Sequence, residues 1–326
     1  MSAPAAPAWA RVRPAQVSAR VVAADRLGGY AHLVLAEPVL AEPVLAQAAP
    51  GQFVAVAVGD RQGSMLLRRA FSVHRADPAA GTVELVVAAH GAGTAWIAGR
   101  QVGDELDVVG PLGTRFVLPP AGGRLILVGG GYGSAPFAWT AAVAVAAGVG
   151  VDAVVGAGDA DRLCDVDGIR AVVEPAGGRV LLTTDDGSAG ERGRVTDALA
   201  TLLAQAGGTM AGGTMAGGTT AGGTTVAACG PMAMLVAVTR TASAAAERSR
   251  SAVVVQVAVE EAMACGIGIC MTCVLPVRGA DGRTRMLRAC TDGPVLDAAT
   301  VRWDCIGPRG AAVPADAVGA PDGGAA

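Results

Sequence analysis

A chain of 326 residues has room for two compact domains and a small appendage, and its formal net charge of -3 offers no basic face for a nucleic-acid backbone or an anionic membrane. Every positive side chain is an arginine, so there is no lysine for a Schiff base or for a Gly-Lys-Ser/Thr phosphate loop. The three histidines, His32, His74 and His90, stand far apart in the sequence without adjacent ligand residues, which leaves a histidine-built zinc site or a Ser-His-Asp triad unsupported and assigns the chemistry to cofactors.

Residues 1–14 are rich in Ala and Pro, with Arg11 and Arg13 following the apolar positions, an order unlike a secretory signal. They are expected to be disordered, in a cytoplasmic protein whose thiols stay reduced. From 15 to 119, short β-branched runs separated by turn residues predict an antiparallel barrel or sandwich. The duplicated EPVLA of 37–46 reads as a loop expansion, because its prolines interrupt a strand. From 122 to 250, strand, glycine turn and helix alternate, which predicts a parallel α/β sheet. The apolar stretch from Phe137 to Val151 is closed by Asp152 before it reaches the ~20 residues of a bilayer span, so it is expected to be a buried helix. The GGTMA-type repeat within 207–225 is expected to be a flexible surface loop. Residues 251–306 form a third unit, a strand, a cysteine-rich loop and another strand, and 307–326 read as a disordered tail.

The cysteines of that third unit, Cys265, Cys270, Cys273 and Cys290, have the spacing C-x4-C-x2-C-x16-C. Four thiolates in this order are the plant-type ligand set of a [2Fe-2S] cluster, and Gly266 and Gly268 let the loop wrap closely around it. Structural zinc is the alternative, but zinc ribbons use two close cysteine pairs and here the fourth ligand stands alone. Cys164, Cys229 and Cys305 fall outside the pattern and read as buried or partly buried thiols, with Cys229 opening a Cys229-Gly230-Pro231-Met232 segment.

The glycine loop Gly129, Gly130, Gly131, Tyr132 and Gly133 follows an apolar strand and precedes an Ala-rich helix, a context that presents backbone donors to a pyrophosphate. Its sixth position is Ser134 rather than glycine, and tight strand-to-helix packing explains the loop as well. Upstream lie Arg69, Ala70, Phe71 and Ser72, then Gly93 and Thr94. An arginine can pair with a flavin pyrophosphate, an aromatic can pack on a ring and a hydroxyl can reach the flavin edge, although a strand with an alternating face reads the same way.

In this order the motifs resemble the ferredoxin-NADP reductase superfamily, and more closely the electron-transfer subunit of the class 1B, NAD-linked dihydroorotate dehydrogenases, the PyrK family. The resemblance runs from about Val17 to Asp304 through LLRRAFSV, GAGT, LVGGGYGSAP, ACGPMAML and EEAMACGIGICMTCVLPV. It implies a multi-domain β plus α/β protein: an antiparallel FAD-binding β-barrel, a Rossmann-like NAD-binding parallel-sheet domain and a small C-terminal [2Fe-2S] domain. Arg69 to Ser72, Val86, Val87 and Ala88, and Gly93 and Thr94 would line FAD; Gly129 to Gly133 and Cys229 to Met232 would face NAD, with NADP still open; the four cysteines would hold the cluster. Many family members carry Tyr-Arg where this chain has Val87-Ala88, so one phosphate contact is missing. The implied partner is an FMN-containing dihydroorotate dehydrogenase catalytic subunit, two of each forming a heterotetramer. Two other readings stay open: a flavin/NAD(P)H reductase module of a hydrogenase- or oxygenase-type complex, and a zinc-stabilised, non-enzymatic binding module.

Overall fold

The computed structural model describes residues 13–37, 43–59, 65–206, 223–250, 252–307 and 310–318. The expected disorder of residues 1–12 and 319–326, the centre of the EPVLA duplication and the repeat from 207 to 222 lie outside the described residues.

Six strands, β1 (Ala15–Leu27), β2 (Tyr30–Ala36), β3 (Phe53–Val56), β4 (Arg69–Asp77), β5 (Thr82–Val87) and β6 (Glu105–Leu112), close into an antiparallel barrel in the order β1-β2-β5-β4-β3-β6. The alternation along each strand explains the closure. In β1, Val17, Ala19 and Val21 point inward, while Gln16 and Ser18 turn outward to hydrogen-bond Asp107 and Glu105 of β6. Leu33, Leu35, Val73, Leu85 and Leu106 fill the interior, and α1 (Ala92–Ala98) adds Ile97 at one end. Among the described residues of the EPVLA duplication, both ends are anchored to the barrel. The Glu37 carboxylate accepts from the backbone N–H groups of Val44, Leu45 and Ala46, and Leu45 drops into the barrel core.

Beyond the barrel run β7 (Arg124–Gly130), α2 (Phe137–Ala146), β8 (Gly150–Ala157), α3 (Val166–Val173), β9 (Val180–Thr184), β10 (Glu191–Arg192), α4 (Val195–Ala206), β11 (Thr224–Cys229), α5 (Met232–Ser249) and β12 (Val253–Ala258). A hairpin of β13 (Val274–Arg278) and β14 (Thr284–Arg288) and the short β15 (Val295–Asp297) follow. The second sheet is ordered β10-β9-β8-β7-β11-β12-β15, parallel except for β15. Its central strands β7, β8 and β11 are apolar on both faces, with α2 and α3 covering one side and α4 and α5 the other. The apolar stretch that begins at Phe137 is a ten-residue helix followed by a strand, and no helix among the described residues is long and apolar enough to cross a membrane.

Three expected boundaries differ. Residues 253–258 and 295–297, assigned by sequence to the cluster unit, belong to the parallel sheet, because β12 continues the β11 register and buries Val255 and Val257. Thr224 and Thr225, the end of the repeat, are already in β11, where Thr225 is buried. Residues 310–318, expected to be disordered, fold back on the hairpin. A short β-pair joins Ile306–Gly307 to Gly310–Ala311, Ala317 is buried, and Arg302 bridges Asp304 and Asp316 beside the fully buried Thr284.

Candidate cofactor and cluster sites

The cysteine cradle is built by two devices. Residues 259–273 form a loop between β12 and β13 whose left-handed residues Gly266, Gly268 and Met271 (φ 73°, 80° and 57°) curl it around Cys265. The sixteen residues between Cys273 and Cys290 are the β13–β14 hairpin: its register brings its ends together, with Ala289 N–H donating to the Cys273 carbonyl at 2.8 Å. Cys273 and Cys290 are buried, Cys265 is half-buried and Cys270 is exposed.

The donors suit a group that prefers thiolates. Partial burial opposes ionisation of Cys265, but backbone N–H groups of Cys270, Ile267 and Ile269 outweigh it and lower its pKa to about 6. Two of these, Ile267 N and Cys270 N, lie 3.5 Å from its sulfur. Burial, then the adjacent Cys273, pushes Cys290 up to about 11, as expected for thiols crowded together and needing a shared cation. A Cβ on Gly268 would meet Thr291 at 2.8 Å, so this turn requires glycine for space as well as for conformation. The loop also touches the barrel: a Cβ on Gly266 would lie 3.3 Å from Leu112 and 3.6 Å from Ala55.

Next to this cradle, a cleft of about 300 Å³ opens between the barrel and the parallel sheet. Ala70, Phe71, Ser72, Val86, Ala88 and Thr94 line it from the barrel, and Tyr132, Gly133, Cys229 and Gly230 line it from the sheet. Met263, two residues before Cys265, reaches the same cleft. The fit to a flavin is partial in detail. Val87 turns into the barrel core, because adjacent strand residues face opposite ways. Thr94 spends its hydroxyl on its own turn, accepting from the N–H groups of His90 and Gly91. Arg69 packs flat on Gly93, where a Cβ would lie 2.8 Å from the guanidinium, and this puts a cation beside the first turn of α1.

A second cleft of about 730 Å³ lies at the carboxyl ends of β7, β8 and β9. Gly130, Gly131, Tyr132 and Pro231 line it together with Gly156, Gly158 and Asp185, a place where open α/β sheets take nucleotides. Gly129 lies at the end of β7, where a Cβ would strike Ser134 at 2.5 Å, and a Cβ on Gly133 would lie 2.4 Å from the Cys229 carbonyl. The two glycine segments therefore approach backbone to backbone. Met232 starts α5 and packs into the core instead of lining either cleft. Tyr132 and His90 line both clefts, their rings 5.5 Å apart. The Tyr132 hydroxyl donates to Glu260, and burial, then Glu260, raises its pKa so that it stays a phenol. Burial, then Glu260, likewise pushes the Cys229 thiol up to about 12.

Sequence reasoning missed several lining residues. Glu260, Met263 and Met234 lie inside segments that carry the resemblance but were given no role there, Tyr30 lies outside them, and only the folded chain brings all four to the clefts. It also misjudged two histidines: His32 and His74 have ring centroids 5.5 Å apart and share Glu84. Cys164 is fully buried and Cys305 half-buried, away from the cradle.

Comparison with known proteins agrees with this arrangement. Residues 260–302 match the family model for the iron-sulfur cluster binding domain of dihydroorotate dehydrogenase B. The "Dihydroorotate dehydrogenase B (NAD(+)), electron transfer subunit" of Geobacillus thermodenitrificans is 36% identical over 254 residues, covering 77% of this chain and 86% of that protein. The same-named protein of Shouchella clausii is 34% identical, over 76% and 84%. Among solved structures, an NADH-dependent reduced ferredoxin-NADP oxidoreductase superposes with a TM-score of 0.66 at 28% identity, covering 88% of this chain and 90% of that one. A ferredoxin NADP+ reductase from Neisseria gonorrhoeae, at 18% identity and TM-score 0.54, shares the fold. With a barrel, a nucleotide-type sheet and a cysteine cradle in the same order, and relatives above 30% identity along most of their length, the chain belongs to the dihydroorotate dehydrogenase B electron-transfer subunit family.

Proposed function

We propose that this chain carries electrons from an FMN-containing dihydroorotate dehydrogenase catalytic subunit to NAD+, in the step of pyrimidine (UMP) biosynthesis that forms orotate. The observation that carries this reading is the continuity of three sites: cysteine cradle, barrel-side cleft and nucleotide cleft, joined by Met263 at one junction and by Tyr132 and His90 at the other. Bound FAD and a [2Fe-2S] cluster supply the conversion between single electrons and a hydride.

The chain's own residues supply position and environment. Cys265, Cys270, Cys273 and Cys290 hold the cluster, and the N–H groups of Ile267 and Cys270 stabilise charge on the Cys265 sulfur. Phe71, Ser72, Val86 and Ala88 shape the flavin cleft. Gly130, Gly131 and Pro231 leave room for a nucleotide to lie against the backbone. Tyr132 stays a neutral phenol between the clefts. In the second cleft Asp185 suits ribose hydroxyls, and Arg162 and Arg194 on the same lining suit the phosphates of a nucleotide.

Around the exposed Cys270, Ile267, Ile269 and Met271 also stand out in solvent, an apolar rim suited to docking the catalytic subunit in a heterotetramer of two of each chain. The reading places the complex in the cytoplasm. Co-expression with an FMN-containing dihydroorotate dehydrogenase tests it. A stable complex that reduces NAD+ with dihydroorotate is expected. No complex and no NAD+ reduction, with FAD and cluster both loaded, would overturn the pyrimidine assignment.

A further inference from the structure

The two histidines brought together by the barrel belong to neither cleft nor cradle. His32 on β2, His74 on β4 and Glu84 on β5 place ligand atoms within 4.8 Å of one another. The Glu84 carboxylate lies 3.0 Å from His32 Nε2 and 4.0 Å from His74 Nε2. Asp165, at the N-terminus of α3 with a left-handed φ of 52°, adds a carboxylate 3.8 Å from His74 Nε2. The side chains of His74 and Asp165 are 6% and 7% exposed, so this is an interior cluster.

The outer nitrogens decide what the inner ones can do. His74 Nδ1 lies 2.5 Å from the Ala135 carbonyl and His32 Nδ1 lies 2.7 Å from Asp25, so each Nδ1 carries the proton. In a neutral ring each Nε2 is then a lone pair, and both lone pairs face carboxylate oxygens, which are acceptors too. At His74 the two carboxylates stand 4.0 and 3.8 Å from Nε2, beyond hydrogen-bond reach. A cation among His32, His74 and Glu84 satisfies all three. Tetrahedral zinc, with N and O ligands at about 2.0–2.2 Å, separates its donors by roughly 3.3–3.6 Å, within the spread observed here. Histidine rings held at Nδ1 by a carboxylate or a backbone carbonyl are the usual outer support of such a site.

We infer that His32, His74 and Glu84, with Asp165 as the nearest fourth donor, form a structural site for a divalent transition-metal ion, zinc by its donor set. The site ties three barrel strands to the parallel-sheet domain: Asp165 opens α3, and Ala135 follows the glycine loop whose Tyr132 lines both clefts. It therefore holds the two cleft walls in register and takes no part in electron transfer.

The test uses the full chain loaded with FAD and cluster, stripped of loosely held metal and titrated with zinc, and in parallel with cobalt(II). One tightly bound zinc per chain is expected, with iron content unchanged, and the cobalt form should show tetrahedral visible bands without thiolate charge transfer. His74→Gln and Glu84→Gln should abolish this binding. Asp25→Asn alters only the outer support of His32 at an exposed position and should weaken binding about 10–100-fold. FAD content and circular dichroism verify folding of each variant. Absence of zinc and cobalt binding at micromolar concentration in the wild type, or binding unaffected by Glu84→Gln and Asp25→Asn, would overturn the assignment.

Discussion

Replacing Gly133 by alanine probes the contact on which both clefts depend. The new Cβ would lie 2.4 Å from the Cys229 carbonyl oxygen and 2.7 Å from both the Cys229 carbonyl carbon and the Gly230 Cα, all backbone atoms. An ordinary contact needs about 3.4 Å or more, so the two loops must part by roughly 1 Å. Overpacking of this kind costs about 1–3 kcal/mol, which for a chain of this size lowers the melting temperature by roughly 1.5–4.5 °C. The functional effect should be larger. Gly133, Cys229 and Gly230 all line the first cleft, and a misplacement of ~1 Å at a reacting pair costs on the order of 100-fold. NADH oxidation with an artificial acceptor, followed as kcat/KM alongside FAD content, reads it. Gly307→Ala, where a Cβ meets nothing within 4 Å, is the control. A Gly133→Ala protein with wild-type melting temperature and kcat/KM would refute the reasoning.

Other consequences follow from the same geometry. Leu85→Ala, deep in the barrel, should cost about 2–5 kcal/mol and reduce FAD retention, measured by denaturant unfolding and bound-flavin absorbance. Thr284→Val removes a buried hydroxyl that accepts from Arg302 and donates to Asp316. It should destabilise the hairpin by roughly 1.5–3 kcal/mol, seen as earlier loss of cluster absorbance on heating. Because the Cys229 pKa is raised to about 12, the group is a neutral thiol at pH 8, and iodoacetamide should leave it unmodified in peptide mapping. Rapid alkylation there would contradict the half-buried, acid-flanked environment.

The order of domains was legible in the sequence because each domain has a local signature: alternation in β1, the apolar run and glycines of β7, and the cysteine spacing. The spacing was legible for a physical reason, since the sixteen-residue gap between Cys273 and Cys290 is one hairpin whose closure brings those two cysteines together. What escaped was whatever depends on contacts between distant segments. β12 was assigned to the wrong unit because a buried parallel strand reads alike in any sheet. His32, His74, Glu84 and Asp165 lie on four different elements, and only barrel closure and domain packing gather them. The ordered stretch 310–318 is held largely by polar contacts to Arg302 and Thr284, which leave no hydrophobic pattern to read. Val87 was placed with the flavin by motif, whereas strand alternation alone assigns it to the opposite face from Val86.

The central claim is that electrons enter this chain at the cysteine cradle and leave at the nucleotide cleft. Cys270, the exposed cysteine of the cradle, separates the two ends. In the purified complex with the dihydroorotate-oxidising subunit, Cys270→Ser should abolish NAD+ reduction by dihydroorotate while NADH oxidation by an artificial flavin acceptor persists at close to the wild-type rate. If both activities survive unchanged, the cradle does not lie on the path and the account is contradicted.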